Sequence, residues 1–294
     1  EKRLSWGNGI LELGTFTAII LGTLAGAVMA EHLRGRHFWS GVILVGLAVL
    51  GLMTSVGITR VGPADPHKKF RLNFFPQLWG QLKRIRGDRP LLLAMVGNTY
   101  FNFLGALFLL NIFSYGIDVL HVTETRIGLL NTALALGIGV GSFAAGHLSG
   151  GKIEYGLVPL GAIGLSVSAV SLYAAEPVFR DAMLRLVLLG FAGGFFIVPI
   201  CALLQHRPAK EEKGAMLAAA NWLSFVGIFL ASGAHFVLTE FFQASAQTVF
   251  LIGALITLGG AVYAVILLPD ALLRFVLWLL THTLYRIRVE GRDN

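Results

Sequence analysis

Charge is scarce in this 294-residue chain. Asp, Glu, Lys and Arg make up 13% of it, against 55% hydrophobic residues. Soluble globular domains carry about 25% charged residues to cover their surface, so a soluble globular protein is excluded. Cysteine is nearly missing as well. The single Cys201 rules out a disulfide framework and any Cys-rich metal site. Ionisable groups are also absent from the middle of every long apolar run. Glu12, Arg185, His147 and His235 fall near the ends of such runs, and Glu240 just outside one. A carboxylate or lysine near the midplane is the usual mark of proton or ion coupling. Its absence disfavours proton-driven transport of a small polar solute and favours a largely apolar substrate. Enzyme signatures are lacking too: there is no Walker loop, no HExxH and no GxSxG. His282 has no Asp five residues later, and the glycines of "GNG" and "GGK" are too few to hold a phosphate. No catalytic site, metal, cofactor or nucleic-acid partner is expected.

What is present is apolar length. Mean hydropathy is +0.74, and 36 glycines and 21 phenylalanines suit helices packed closely in lipid. A span needs about 20 mostly apolar residues to cross about 30 Å of hydrocarbon. Eight candidates meet this: 11–30, 39–57, 91–115, 127–148, 156–175, 182–204, 215–239 and 247–268. The fold class is an all-α polytopic membrane protein. Most connectors are short, but 58–90 is long, basic and punctuated by proline. With the termini and the connectors at 58–90, 149–155 and 205–214 on one side, 18 of the 23 Lys and Arg lie there; Arg34, Arg36, Arg126, Arg180 and Arg185 remain opposite. The positive-inside rule makes the first side cytoplasmic. Arg207, Lys210 and Lys213 then mark a cytoplasmic hairpin, as topology anchors rather than substrate contacts.

Uncharged polar residues do enter the spans. Asn98 and Asn102, four apart, share a helix face, as do Asn221 and Ser224; Asn131 lies in another span. Each either bonds a neighbouring helix or lines a cavity, and the paired Asn98 and Asn102 suit a cavity best. Gly22/Gly26, Gly137/Gly141 and Gly190/Gly194 have the spacing that lets backbones approach closely. Pro199, after Gly193 and Gly194, reads as a static kink or as a bending point during alternating access. From Pro269 the pattern suggests a juxtamembrane amphipathic helix. The alternation Tyr285-Arg286-Ile287-Arg288-Val289 suggests one strand, which has no independent stability. The chain starts at Glu1 and reaches Asn294 on that lone strand, so it reads as a piece of a longer protein.

"GHLSGGKIEYG", at 146–156, resembles the signature loop Gly-x-Leu-x-Asp-x-x-Gly-[Arg/Lys] of the major facilitator superfamily. Gly146 and Leu148 match; Gly150 stands where the family has Asp, and Lys152 and Glu154 supply charge in a shifted place. The resemblance implies a major facilitator fold of which helices 5–12 of 12 are present. "GGFFIVPICALLQ" and "GILELGTFTAIILGTLAGAVMA" resemble the tenth and fifth helices of bacterial lysophospholipid transporters. "LYRIRVEGRDN" resembles the lead-in to a glycerophospholipid acyltransferase domain. The implied organisation is the last two helices of the N-terminal half at 1–57, an inter-half cytoplasmic loop at 58–90 and a C-terminal six-helix half at 91–268. An interfacial helix with the first acyltransferase strand follows at 269–294.

The implied function is movement of lysophospholipids across the bacterial inner membrane toward the cytoplasmic leaflet for re-acylation. Membrane lipids and a cis-fused acyltransferase and acyl-carrier-protein ligase would be the partners. Asn98, Asn102, Asn131, Asn221 and Ser224 would line the headgroup path. Gly146, Leu148, Gly150, Lys152 and Glu154 would form the gate, with Pro199 the bending point. Two alternatives stand beside this: a facilitator exporting a hydrophobic drug or metabolite, and the membrane anchor of an acyltransferase.

Overall fold

The computed structural model describes residues 4–33, 37–58, 62, 75–149, 153–209 and 212–267. Among them the chain is helical throughout, in the order α1 (Leu4–His32), α2 (His37–Ser55), α3 (Phe75–Ile85), α4 (Arg89–Ser114), α5 (Glu124–Leu148), α6 (Leu157–Ala174), α7 (Phe179–His206), α8 (Lys213–Phe236) and α9 (Ala246–Leu267). Seven of the eight expected spans fall on helices long and apolar enough to cross a membrane. The first falls on α1, whose described apolar part, Gly9–Thr23, is shorter than a span. The expected gate residues Gly150 and Lys152 lie outside the described residues. So do the juxtamembrane helix and the strand around Tyr285–Val289.

α7 is the axis of the bundle. It packs against α5, α6 and α4; α8 packs on α4, α9 on α6, and α1 on α5. Its glycines and the matching pair on α5 explain why helix breakers interrupt so apolar a run. A methyl group on Gly137 would strike the Val187 carbonyl, and one on Gly141 the Phe191 carbonyl. One on Gly190 would strike the Leu134 carbonyl, and one on Gly194 the Ser142 amide nitrogen. Each backbone occupies the place of the other's missing side chains, so only glycine fits at this seam. The third pair behaves differently: a methyl group on Gly22 or Gly26 would meet nothing within 4 Å. The expectation that these two mark a helix contact is therefore not met among the described residues.

Pro199 is buried within α7, which runs unbroken on both sides of it. Arg185 lies further from the end of its helix than its spacing suggested. α7 starts at Phe179, so Arg185 sits about 9 Å along the axis at 1.5 Å per residue.

The C-terminal ends of α4 and α8 close alike. Each widens into a single π-helical turn, Tyr115–Val119 and Val237–Phe241. Each is followed by a residue at positive φ, His121 at 49° and Gln243 at 51°. That backbone costs an L-residue about 1 kcal/mol or more. Both side chains hydrogen-bond back into the preceding turn, His121 Nδ1 with the Ile117 carbonyl at 3.0 Å and Gln243 Nε2 to the Glu240 carbonyl at 2.7 Å.

The 58–90 connector holds a helix that its proline and charge pattern concealed. α3 is short and strongly amphipathic. It docks through Ile85, 1% exposed, with Leu82 packed on the same core.

Candidate functional site

α4 starts where its chemistry dictates. Asp88 caps it by accepting from the Leu91 N–H at 3.2 Å, and Pro90 occupies the first turn, where its missing N–H costs nothing. From that start, Asn98 and Asn102 lie about 14 and 20 Å along a 1.5 Å-per-residue axis, near the middle of a 31-residue apolar segment. α8 approaches the same face closely because Gly227 faces α4: a methyl group there would come within 2.8 Å of the Thr99 carbonyl.

Ser224 of α8 is the meeting point. Its Oγ accepts from Asn98 Nδ2 at 2.8 Å and from Asn102 Nδ2 at 3.1 Å, and donates to the Ala220 carbonyl at 3.0 Å. Asn102 Nδ2 also donates to the Asn98 carbonyl at 2.9 Å. Asn98 and Ser224 are buried, and Asn102 is half-buried. One hydroxyl thus holds two amides in an otherwise apolar seam. These bonds are exchangeable: an incoming hydroxyl, amine or phosphate oxygen can replace any one of them without leaving a charge behind.

The structure brings together three of the five residues expected on the headgroup path. Asn221 is exposed, one turn before Ser224. Asn131 is on α5, only about 10 Å from the N-terminal start of that helix by its rise, and its Oδ1 is buried without a partner among the described residues. Of the expected gate residues, Gly146 is buried where α1 crosses α5. A methyl group on Gly9 would lie 3.4 Å from its Cα. Leu148 and Glu154 are half-buried.

Two links escaped the sequence. Arg207 Nε donates to both carboxylate oxygens of Asp88, at 2.7 and 2.6 Å. The C-terminal end of α7 is thereby tied to the N-terminal end of α4, each charge also complementing its own helix dipole. Burial pushes the Asp88 carboxyl up, but the Arg207 hydrogen bonds, the Leu91 N–H and the Arg207 charge outweigh this and hold it below its ordinary value. The Asp-Arg-Pro run at 88–90 announced the cap, but nothing announced a partner 119 residues away. The second link is Tyr100 with Thr257 at 2.5 Å, joining α4 to α9. Because Thr257 donates to the Gly253 carbonyl at 2.7 Å, the tyrosine is the donor.

Tyr100, Phe103 and Leu107 also line an apolar cleft of about 260 Å³ with Leu238 and Ile256 of neighbouring segments. Two-residue steps along a helix point to opposite sides, so this cleft lies across α4 from Asn98 and Asn102. The cleft and the amides do not form one pocket. No cluster of His, Cys, Asp and Glu able to hold a metal occurs among the described residues.

The sequence has known relatives. The lysophospholipid transporter LplT of Yersinia enterocolitica is 30% identical over 226 residues, 74% of this chain and 53% of the relative. That of Cronobacter sakazakii is 30% identical over 225 residues, 74% and 54% of the two chains. That of Klebsiella pneumoniae is 28% identical over 239 residues, 79% and 58%. The chain spans about half the length of the curated relatives it matches. No solved structure matches it significantly. With bacterial relatives and seven membrane-length helices, the chain is a multi-pass protein of the bacterial inner membrane. A family model described as Major Facilitator Superfamily matches residues 1–232 and 117–273, nearly the whole described bundle, and the chain belongs to that family.

Proposed function

We propose that this chain forms part of a carrier that moves lysophospholipids across the inner membrane toward the cytoplasmic leaflet, where they are re-acylated. The observation that carries this is the uncharged polar cluster of Asn98, Asn102 and Ser224 at mid-helix in an apolar seam. An amphipathic substrate can exchange hydrogen bonds with it while its acyl chain stays among Phe and Leu side chains. No proton or ion has to be moved with it by these three residues. The name shared by the relatives supports the substrate class.

In this reading, 91–268 is the C-terminal half, 1–57 supplies two helices of the other half, and 58–90 joins them. Asn98, Asn102 and Ser224 contact the headgroup, with Asn131 and Asn221 nearer the ends of its path. Gly146, Leu148, Gly150, Lys152 and Glu154 form the cytoplasmic gate, and Pro199 is where α7 bends. The segment 269–294 leads into an acyltransferase domain, which with an acyl-carrier-protein ligase would re-acylate the product in cis.

Uptake of labelled lysophosphatidylethanolamine by spheroplasts tests the proposal. Cells carrying the gene should accumulate label, and Asn98→Leu/Asn102→Leu should abolish the gain at normal protein level. Unchanged lysolipid uptake together with altered resistance to hydrophobic drugs would replace this function with export.

A further inference from the structure

α3 has two unlike faces, and among the described residues only one is packed against the rest of the protein. Ile85 and Leu82 dock the helix on the core, where it touches α8 and α4. Beside that stripe runs a second one. Trp79 and Lys83 are one helical turn apart, and Arg86 follows three residues later, immediately beyond the helix, on the same flank. All three are exposed, Trp79 to 67%. Neither cation is ion-paired to a described residue.

The charge around this stripe is one-sided. Residues 58–90 hold eight Lys and Arg against two Asp, and one of those, Asp88, is already engaged by Arg207. α3 ends three residues before Asp88, the cap of a membrane-length helix, at the end of the bundle where the connectors carry most Lys and Arg. A large indole beside cations that pair with no described residue, at that level, matches the chemistry of the headgroup region. The ring prefers the boundary between headgroups and acyl chains, while Lys and Arg stems lie along it and place their charges among the headgroups.

We infer that α3 is an interfacial helix that selects anionic phospholipids of the cytoplasmic leaflet, with Trp79 seated at the acyl boundary and Lys83 and Arg86 on the headgroups. This holds whatever the bundle carries. Anionic lipid gathers at the base of α4 and α8, the two helices that share the Asn98–Ser224 seam.

The test uses the full-length protein with Trp79→Cys in a Cys201→Ala background, labelled at residue 79 with bimane. It is reconstituted in phosphatidylcholine vesicles holding a minor fraction of phosphatidylglycerol. Phosphatidylglycerol brominated in its acyl chains should quench the label at least about twofold more than the same amount of brominated phosphatidylcholine. High salt or Lys83→Glu/Arg86→Glu should remove the preference without reducing folded yield. Equal quenching by both lipids would show that the cations do not select charge and would overturn the inference. Quenching by neither would mean that protein or water covers residue 79, with the same consequence. If labelling unfolds the protein, phosphatidylglycerol carried by unlabelled wild type in native mass spectrometry should fall in Lys83→Glu/Arg86→Glu. An unchanged amount would equally sink it.

Discussion

Two seams of the bundle solve the same packing problem with opposite chemistry. Between α5 and α7, four glycines bring backbone against backbone, and each contact excludes a single extra methyl group. Between α4 and α8, one glycine secures the approach, and a polar cluster of Asn98, Asn102 and Ser224 links the two helices in an otherwise apolar seam. A backbone seam has no alternative arrangement at similar energy, because any shift either clashes or opens a void. A hydrogen-bonded seam does have alternatives, because another donor or acceptor can take over each bond. The difference teaches where this molecule is scaffold and where it can respond to a ligand.

The most direct way to break the comparison is to overfill the scaffold seam. Gly141→Leu or Gly194→Leu should cost about 3 kcal/mol or more and remove most folded, monodisperse protein in size-exclusion chromatography. Gly105→Leu on α4 is the control, since a methyl group there meets nothing within 4 Å. Equal yields from Gly141→Leu and Gly105→Leu would mean that the glycine seam is not what holds the bundle.

The polar seam should fail in function before it fails in stability. Asn98→Leu/Asn102→Leu should remain folded while lysophosphatidylethanolamine uptake falls at least about tenfold, the equivalent of about 1.4 kcal/mol. Uptake at the wild-type rate would reduce these amides to structural bonds.

Ser224→Ala sharpens the contrast from the other side, since it deprives both amides of one acceptor. A loss of about 1 kcal/mol in thermal or denaturant unfolding is expected. No loss would show that Asn98 and Asn102 find other partners readily.

The smallest effect belongs to the Asp88–Arg207 tie, an exposed pair worth less than about 1 kcal/mol. Its sign with pH is defined. The folded carboxyl sits below its ordinary value, so its contribution is fully present above the unfolded value, about 3.9, and fades as pH falls through the folded value. Asp88→Asn should therefore lower the unfolding midpoint slightly at neutral pH and leave it unchanged once wild-type Asp88 is protonated. A cost that persists in strong acid would show that the charge of Asp88 is not the source of its contribution, since asparagine caps a helix as well as aspartate does.

Much of this was legible from residue order because bilayer thickness constrains sequence directly. Apolar runs of 19 to 25 residues, separated by short polar turns, can only be spans, and α2 and α4 to α9 lie where those runs predict. The asparagine pair on α4 was legible too, since four-residue spacing puts both amides on one face. Other features were not. α3 was hidden because a short amphipathic helix among cations and prolines has the composition of a loop. The Gly22 and Gly26 spacing matched that of the working pairs yet meets no neighbour, because spacing states what a helix permits, not which helix comes.

Sequence alone determined that this chain is a set of membrane helices and that amides and hydroxyls, in place of charge, stand in the middle of its long apolar runs. These follow from local transfer energies, summed one residue at a time. Tertiary structure alone decided that Ser224, rather than Asn131 or Asn221, joins Asn98 and Asn102, and that Asp88 meets Arg207. Those pairings depend on how helices more than a hundred residues apart come to lie side by side, which close glycine contacts, such as that of Gly227 with α4, help to set.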